Sequence, residues 1–144
     1  MTACSKFVAI GSEGRTAPPI NPLAQRQPVR LQRTRRRDAR TPAGAVYVGR
    51  PTVWGNPFSD RPKIGHARSV ILYRSWLDGD LSPRVLRAAA FDEPEINGLY
   101  RWRRRLIACL HQLRGRDLQC WCPLTSSWCH ADALLRSANP ELCR

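Results

Sequence analysis

The chain has 144 residues, room for one domain and a tail, and at 42% hydrophobic it can bury a small core, which excludes global disorder. Its 24 basic residues against 11 acids leave a formal charge of +13, and only Lys6 and Lys63 are not arginine. Guanidinium groups suit phosphate oxygens and aromatic rings, so the balance points to an anionic partner, a nucleotide or nucleic acid foremost; a genome biased toward arginine codons would give the same charge with no partner.

Charge is densest at the start: residues 1–43 hold nine basic residues and two acids, net +7, while residues 44–144 hold fifteen and nine, net +6. No apolar run approaches the roughly 18 residues of a spanning helix. The start, MTACSKFVAIGSEG, lacks the basic flank and full apolar stretch of a secretory leader. The expectation is a cytoplasmic protein with no membrane partner, its cysteines present as thiols or metal ligands rather than as a disulfide framework.

Residues 1–26 are rich in Pro, Gly and small polar residues and read as a disordered basic tail. In PVRLQRTRRRDAR, Val29 and Leu31 alternate with Arg30 and Gln32, the period of a strand, before a basic stretch. AVYVG, 45–49, is a second strand closed by Gly49. RPTVWGNPF, with Pro51, Gly55 and Pro57, is a loop of fixed shape. Apolar spacing predicts a helix over 64–77 that stops at Asp78-Gly79, and a short one over 82–90 with Ser82 as N-cap and Pro83 in its first turn. A long helix follows over 95–114, with Arg101, Arg103, Arg104 and Arg105 on its polar face and Gly115 as its stop. DLQCW is a third strand and CHADALLRSA a last helix, with Ser126 or Ser127 as the candidate cap. Strands separated by helices pair most naturally in parallel. The expected architecture is a small α/β domain over 27–140, a mixed or parallel sheet flanked by helices, with 141–144 as a C-terminal tail.

Three segments stand out together: VRLQRTRRR, VYVGRPTVWGNPF and LQCWCPLTSSWCHADALL. The combination resembles the bacterial and phage family catalogued as domain of unknown function 4326, over residues 28 to 139. That family has a basic first strand, a YVGRP…WGNPF segment, a helical middle and a CWC…CH motif. Here Pro123 follows Cys122 directly and six residues separate Cys122 from Cys129, a longer loop than is usual in the family. The resemblance implies a fold and a set of positions, and no activity.

In an open parallel sheet, ligands bind beyond the carboxyl ends of the strands, where both unusual loops begin. Arg50, Trp54 and Asn56 would then meet Cys122, Cys129 and His130 in one crevice as ligand-binding and reactive groups. Three readings of the Cys/His stretch stand side by side. In the first, Cys120, Cys122, Cys129 and His130 hold a metal, zinc by the softness of the donors. On an extended strand, however, residues 120 and 122 lie roughly 6–7 Å apart, so the chain must kink at Pro123. In the second, an enzyme acts on a nucleotide or base: Cys129 is a thiolate at a helix N-terminus and more reactive than Cys120, His130 is its neighbour, Asp132 an orienter and Arg50 an anion clamp. In the third, the cysteines are core, and the protein is a non-catalytic nucleic-acid-binding accessory that uses Arg30, Arg33, Arg35, Arg36 and Arg37, with the 101–105 face, on phosphates. Packing explains Trp54 better than base stacking does, and a tight turn explains Asn56 as well as ligand contact.

Overall fold

The computed structural model describes residues 26–143; the tail expected to be disordered lies, but for Arg26, outside the described residues. The first strand, β1, is Arg30–Gln32, the second, β2, Val46–Tyr47, and the third, β3, Leu118–Cys120. They form a sheet of order β1-β3-β2 with both pairings parallel. Leu118 stands opposite Arg30 on one side and Val46 on the other, and Cys120 opposite Gln32. β3 is central and fully buried, so Gln119 is taken inside with it; its side chain meets the Thr41 hydroxyl at 2.8 Å.

Helix α1 is His66–Asp78. Gly79 ends it with φ 87°, the left-handed conformation glycine adopts without cost, and its N–H returns to the last-turn carbonyls. Helix α2, Pro83–Ala88, starts as expected, with Ser82 as N-cap and Pro83 in the first turn. Helix α3, Glu93–Cys109, begins two residues before the apolar periodicity does, because Asp92 and Glu95 form a reciprocal capping box. A 3-10 turn, Leu110–Leu113, leads to Gly115 at φ 69°. Helix α4, His130–Ala138, is followed by a 3-10 turn, Pro140–Cys143, where Arg114 pairs with Glu141 at 3.3 Å.

By length α1 and α3 would suit the sheet best. Instead α4 lies against β3 and β1, and α1 and the turn after α3 pack on α4. The strands are only two or three residues long, so the face they offer is small, and α4, entered from the loop that leaves β3, covers it. The core joins Val48, Phe58, Tyr73, Trp76, Leu106 and Leu134. Phe58 meets Trp76 edge-on at 6.0 Å, and Trp76 meets Trp102 at 6.1 Å.

The loop after β2 has the fixed shape its prolines and glycines foretell. Thr52 Oγ1 donates to Gly49 O at 2.6 Å, and Phe58 N donates to Asn56 Oδ1 at 2.9 Å. From outside the loop, Tyr73 Oη donates to Trp54 O and Trp102 Nε1 to Val53 O, both at 2.7 Å. Side chains of α1 and α3 thus satisfy carbonyls that the irregular backbone leaves over.

Candidate functional site

Two backbone features gather the Cys/His stretch. β3 stops at Cys120 and the chain bends through Trp121 and Cys122, one residue earlier than the kink expected at Pro123. Cys122 therefore escapes the strand spacing that would hold its sulfur apart from that of Cys120. At the other end, Cys129 is the N-cap of α4, with extended φ −148° and ψ 134°. It stands outside the helix that His130 begins, so the divergence of adjacent helical side chains does not separate the two. The serines expected as caps do not serve: Ser126 Oγ accepts from Trp128 N at 3.2 Å and shapes the loop itself.

The sulfurs of Cys120, Cys122 and Cys129 all lie within 4.8 Å of one another, and Cys120 Sγ and Cys129 Sγ are 3.2 Å apart. Cys120, Cys122, Cys129 and Cys143 are free thiols, as expected. His130 follows directly at the start of α4, outside the group of three sulfurs that lie within 4.8 Å of one another. Its Nε2 lies 2.9 Å from Val48 O, and its ring meets Tyr73 edge-on at 5.4 Å. A carbonyl only accepts, so Nε2 is the donor and carries a proton.

Arg30 crosses from β1 and closes the group. Its guanidinium donates to Leu124 O at 2.9 Å, Ser126 O at 3.0 Å and Pro123 O at 3.4 Å, and pairs with Asp132 at 3.2 Å. His66 Nε2 meets Trp128 O at 2.8 Å from the start of α1, so both ends of the loop are pinned.

The electrostatics follow from this packing. Hydrogen bonds from Cys120 and Cys122 hold the Cys129 thiol far below its ordinary range, against burial, and His130 and Arg30 add to the effect. The Cys120 thiol is pushed far up by its bonds to Cys122 and Cys129 and by burial. Burial pulls His130 down, but its bonds to Cys122, Cys129 and Val48 outweigh it and raise the ring to about 9.

The site expected from sequence is brought together only in part. Cys120, Cys122 and Cys129 meet, His130 starts α4 beside them, and Asp132 is joined to the loop through Arg30. Arg50 turns to Asp60, with Nη2 at 2.8 Å from its carboxylate. Trp54 and Asn56 are buried and serve their own loop. The loop after β2 reaches the cluster through the Val48 carbonyl instead. Cys129 is 0% and Cys120 1% exposed, so the expected difference in accessibility between them is absent, and partly exposed Cys122 is the most open of the three. Arg30 is committed to carbonyls of its own chain, a role no sequence signal announces. Tyr73 was visible only as one apolar position of a helix. Of the helical arginines, Arg103 donates to Trp76 O at 2.7 Å and caps α1, while Arg101, Arg104 and Arg105 are exposed.

A second cluster forms where β1 runs out. The guanidinium carbon of Arg33 lies 4.9 Å from the Tyr47 ring centre and 5.5 Å from that of Trp121, and that of Arg35 lies 5.9 Å from Trp121. Trp121 is 47% exposed, and with Arg33, Arg35, Arg36 and Arg37 it lines an open depression of about 470 Å³. Among the described residues, none of these four arginines pairs with a carboxylate, whereas Arg26, Arg30, Arg50, Arg61, Arg87 and Arg114 all do.

Fold and site together define a small α/β domain built on a three-stranded parallel sheet, with a buried Cys/His cluster where the central strand ends. The chain belongs to the family described as domain of unknown function 4326, which it matches over residues 31–140. No curated protein and no solved structure matches it. Among the described residues no helix is long and apolar enough to cross a membrane.

Proposed function

We propose that this domain binds single-stranded nucleic acid, without chemistry of its own, on the face that follows β1. The observation that carries the reading is the exposed Trp121 with Arg33 and Arg35 against its ring and Arg36 and Arg37 beside it. A base can stack on an exposed indole, while guanidinium groups without carboxylate partners are left for phosphates. Arg30, by contrast, has its donors occupied. A cytoplasmic location goes with this reading. Catalysis at Cys129 has less support, because a nucleophile must meet its substrate and Cys129 has no exposed surface.

The test is anisotropy of a labelled single-stranded oligonucleotide titrated with protein at several salt concentrations. Affinity should fall steeply with salt. Replacing Arg35, Arg36 and Arg37 by Ala should flatten the log–log slope by about 2, at about 0.7 per phosphate contact. Trp121→Ala should weaken binding by about 1–3 kcal/mol. Absence of binding at low salt, or variants that bind like the parent, would refute the reading.

A further inference from the structure

We propose that Cys120, Cys122, Cys129 and Nδ1 of His130 close a tetrahedral zinc site that joins the end of β3 to the start of α4. The inference is independent of nucleic-acid binding and rests on the cluster's own geometry.

Four thiolate or imidazole donors around zinc at about 2.3 Å set the sulfurs about 3.8 Å apart. The three sulfurs here lie within 4.8 Å of one another, with the closest pair at 3.2 Å, so they straddle that spacing and need shifts of an ångström or less. Cys120 and Cys129 are held at this separation by a strand end and a helix cap, both fixed by the fold.

His130 is oriented as a ligand by its other nitrogen. Nε2 is engaged by Val48 O at 2.9 Å, so in the neutral ring the lone pair is at Nδ1. Metal-bound histidines typically hand their second N–H to a carbonyl or carboxylate in this way, which sets both tautomer and ring direction. Tyr73 packs edge-on against the ring, which stands just outside the group of three sulfurs and moves in to complete the set.

Charge supports the same reading. Three thiolates and a neutral imidazole on Zn²⁺ leave one negative charge, and the Arg30 guanidinium brings a positive charge to the same loop, where it clamps the carbonyls of 124 and 126. The clamp holds the long loop between Cys122 and Cys129 so that both ends of the ligand set stay together. The donor set is full, which is the mark of a structural rather than a catalytic zinc. An iron–sulfur cluster places several atoms among its cysteine sulfurs and does not fit between sulfurs this close. Binding releases the protons of the thiols, so uptake is favoured as pH rises.

The site also bears on the surface above it. Cys120 and Cys122 flank Trp121, and two thiolates on one metal fix the backbone that presents the indole.

The full chain, expressed with added zinc and purified without chelator, should carry about one zinc per molecule by elemental analysis. Exchange into cobalt should give the intense visible bands of a tetrahedral centre and near-ultraviolet thiolate charge transfer. Cys122→Ser, at the partly exposed member, should lose the charge transfer of one thiolate and weaken metal affinity by roughly tenfold or more. Cys143→Ser, an exposed thiol outside the cluster, should change neither. The wild-type measurements decide the matter even if a ligand variant does not fold. The proposal is overturned by protein that takes up neither zinc nor cobalt, by the weak bands of six-coordinate cobalt, by a Cys122→Ser spectrum like the parent's, or by a Cys120–Cys129 disulfide in peptide mapping. Loss of zinc with oligonucleotide binding intact would separate this inference from the reading of the arginine face.

Discussion

Arg30 and Tyr73 show how a side chain's neighbours decide its role. Arg30 sits in a stretch of arginines, and its sequence context is that of a phosphate contact. Yet its partners are the 123–126 carbonyls and Asp132, brought to it by the parallel pairing of β1 with β3. Arg30→Ala leaves those carbonyls without their charged donor and should cost about 1.5–3 kcal/mol in urea unfolding. It should leave the salt slope of oligonucleotide binding unchanged, unlike the substitutions at Arg35, Arg36 and Arg37. An unaltered stability with a flattened slope would reverse the assignment. Tyr73 is buried, and its hydroxyl is the donor to Trp54 O. Tyr73→Phe keeps the ring against His130 but strands that carbonyl, for a loss of about 1–3 kcal/mol by the same measurement.

Elements in this chain are governed as much by their ends as by their faces. The capping box of α3 is written in the sequence as Asp92 followed three residues later by Glu95, and it sets the helix start that apolar periodicity misses. Asp92→Ala should destabilise the protein by about 1 kcal/mol, visible as a lower Tm. Glu95 has a further partner in Arg61, whose Nη2 meets it at 2.9 Å. The hydrogen bond from Arg61, and then that from Asp92 N, hold its carboxyl below the usual 4.5, and Arg87 does the same for Glu93. A carboxylate whose value is depressed on folding stabilises the protein above its unfolded value. That contribution is lost as pH falls through the folded value. Acid unfolding should therefore bring a loss below about pH 4.5, and Glu95→Gln should reduce the slope of stability against pH in that window. The α4 cap is the opposite case. Serine is the better side-chain cap by intrinsic preference, but tertiary packing places Cys129 there, with no side-chain hydrogen bond to the helix.

At the scale of the molecule, α4 is the piece on which the rest depends: it touches β3, β1, α1 and the turn after α3. Leu134, on its buried side, is 0% exposed. Leu134→Ala should cost about 2–5 kcal/mol, a large part of the roughly 5–15 kcal/mol of a typical domain. Because α4 bridges sheet and helices, circular dichroism and tryptophan fluorescence should report the same midpoint. Two separate transitions would show that the helical part stands without the sheet.

The order and type of the elements were legible from residues alone, because helix and strand periods, Ser82-Pro83 and Gly79 act within a few positions of chain. So was the parallel pairing of Val46–Tyr47 with Leu118–Cys120, since helices between two strands leave few other connections. The fixed loop at RPTVWGNPF was legible too, because proline and glycine restrict φ locally. What lay beyond local rules was which donors would meet. Strand order put Arg30 beside the Cys/His loop, a bend after Cys120 brought Cys122 to Cys129, and the Val48 carbonyl rather than Arg50 reached His130. The first and the last of these contacts join residues far apart in the chain, and the second depends on where β3 ends and α4 begins. Their partners are set by how three short strands and α4 close on one another, and only the tertiary structure decides that.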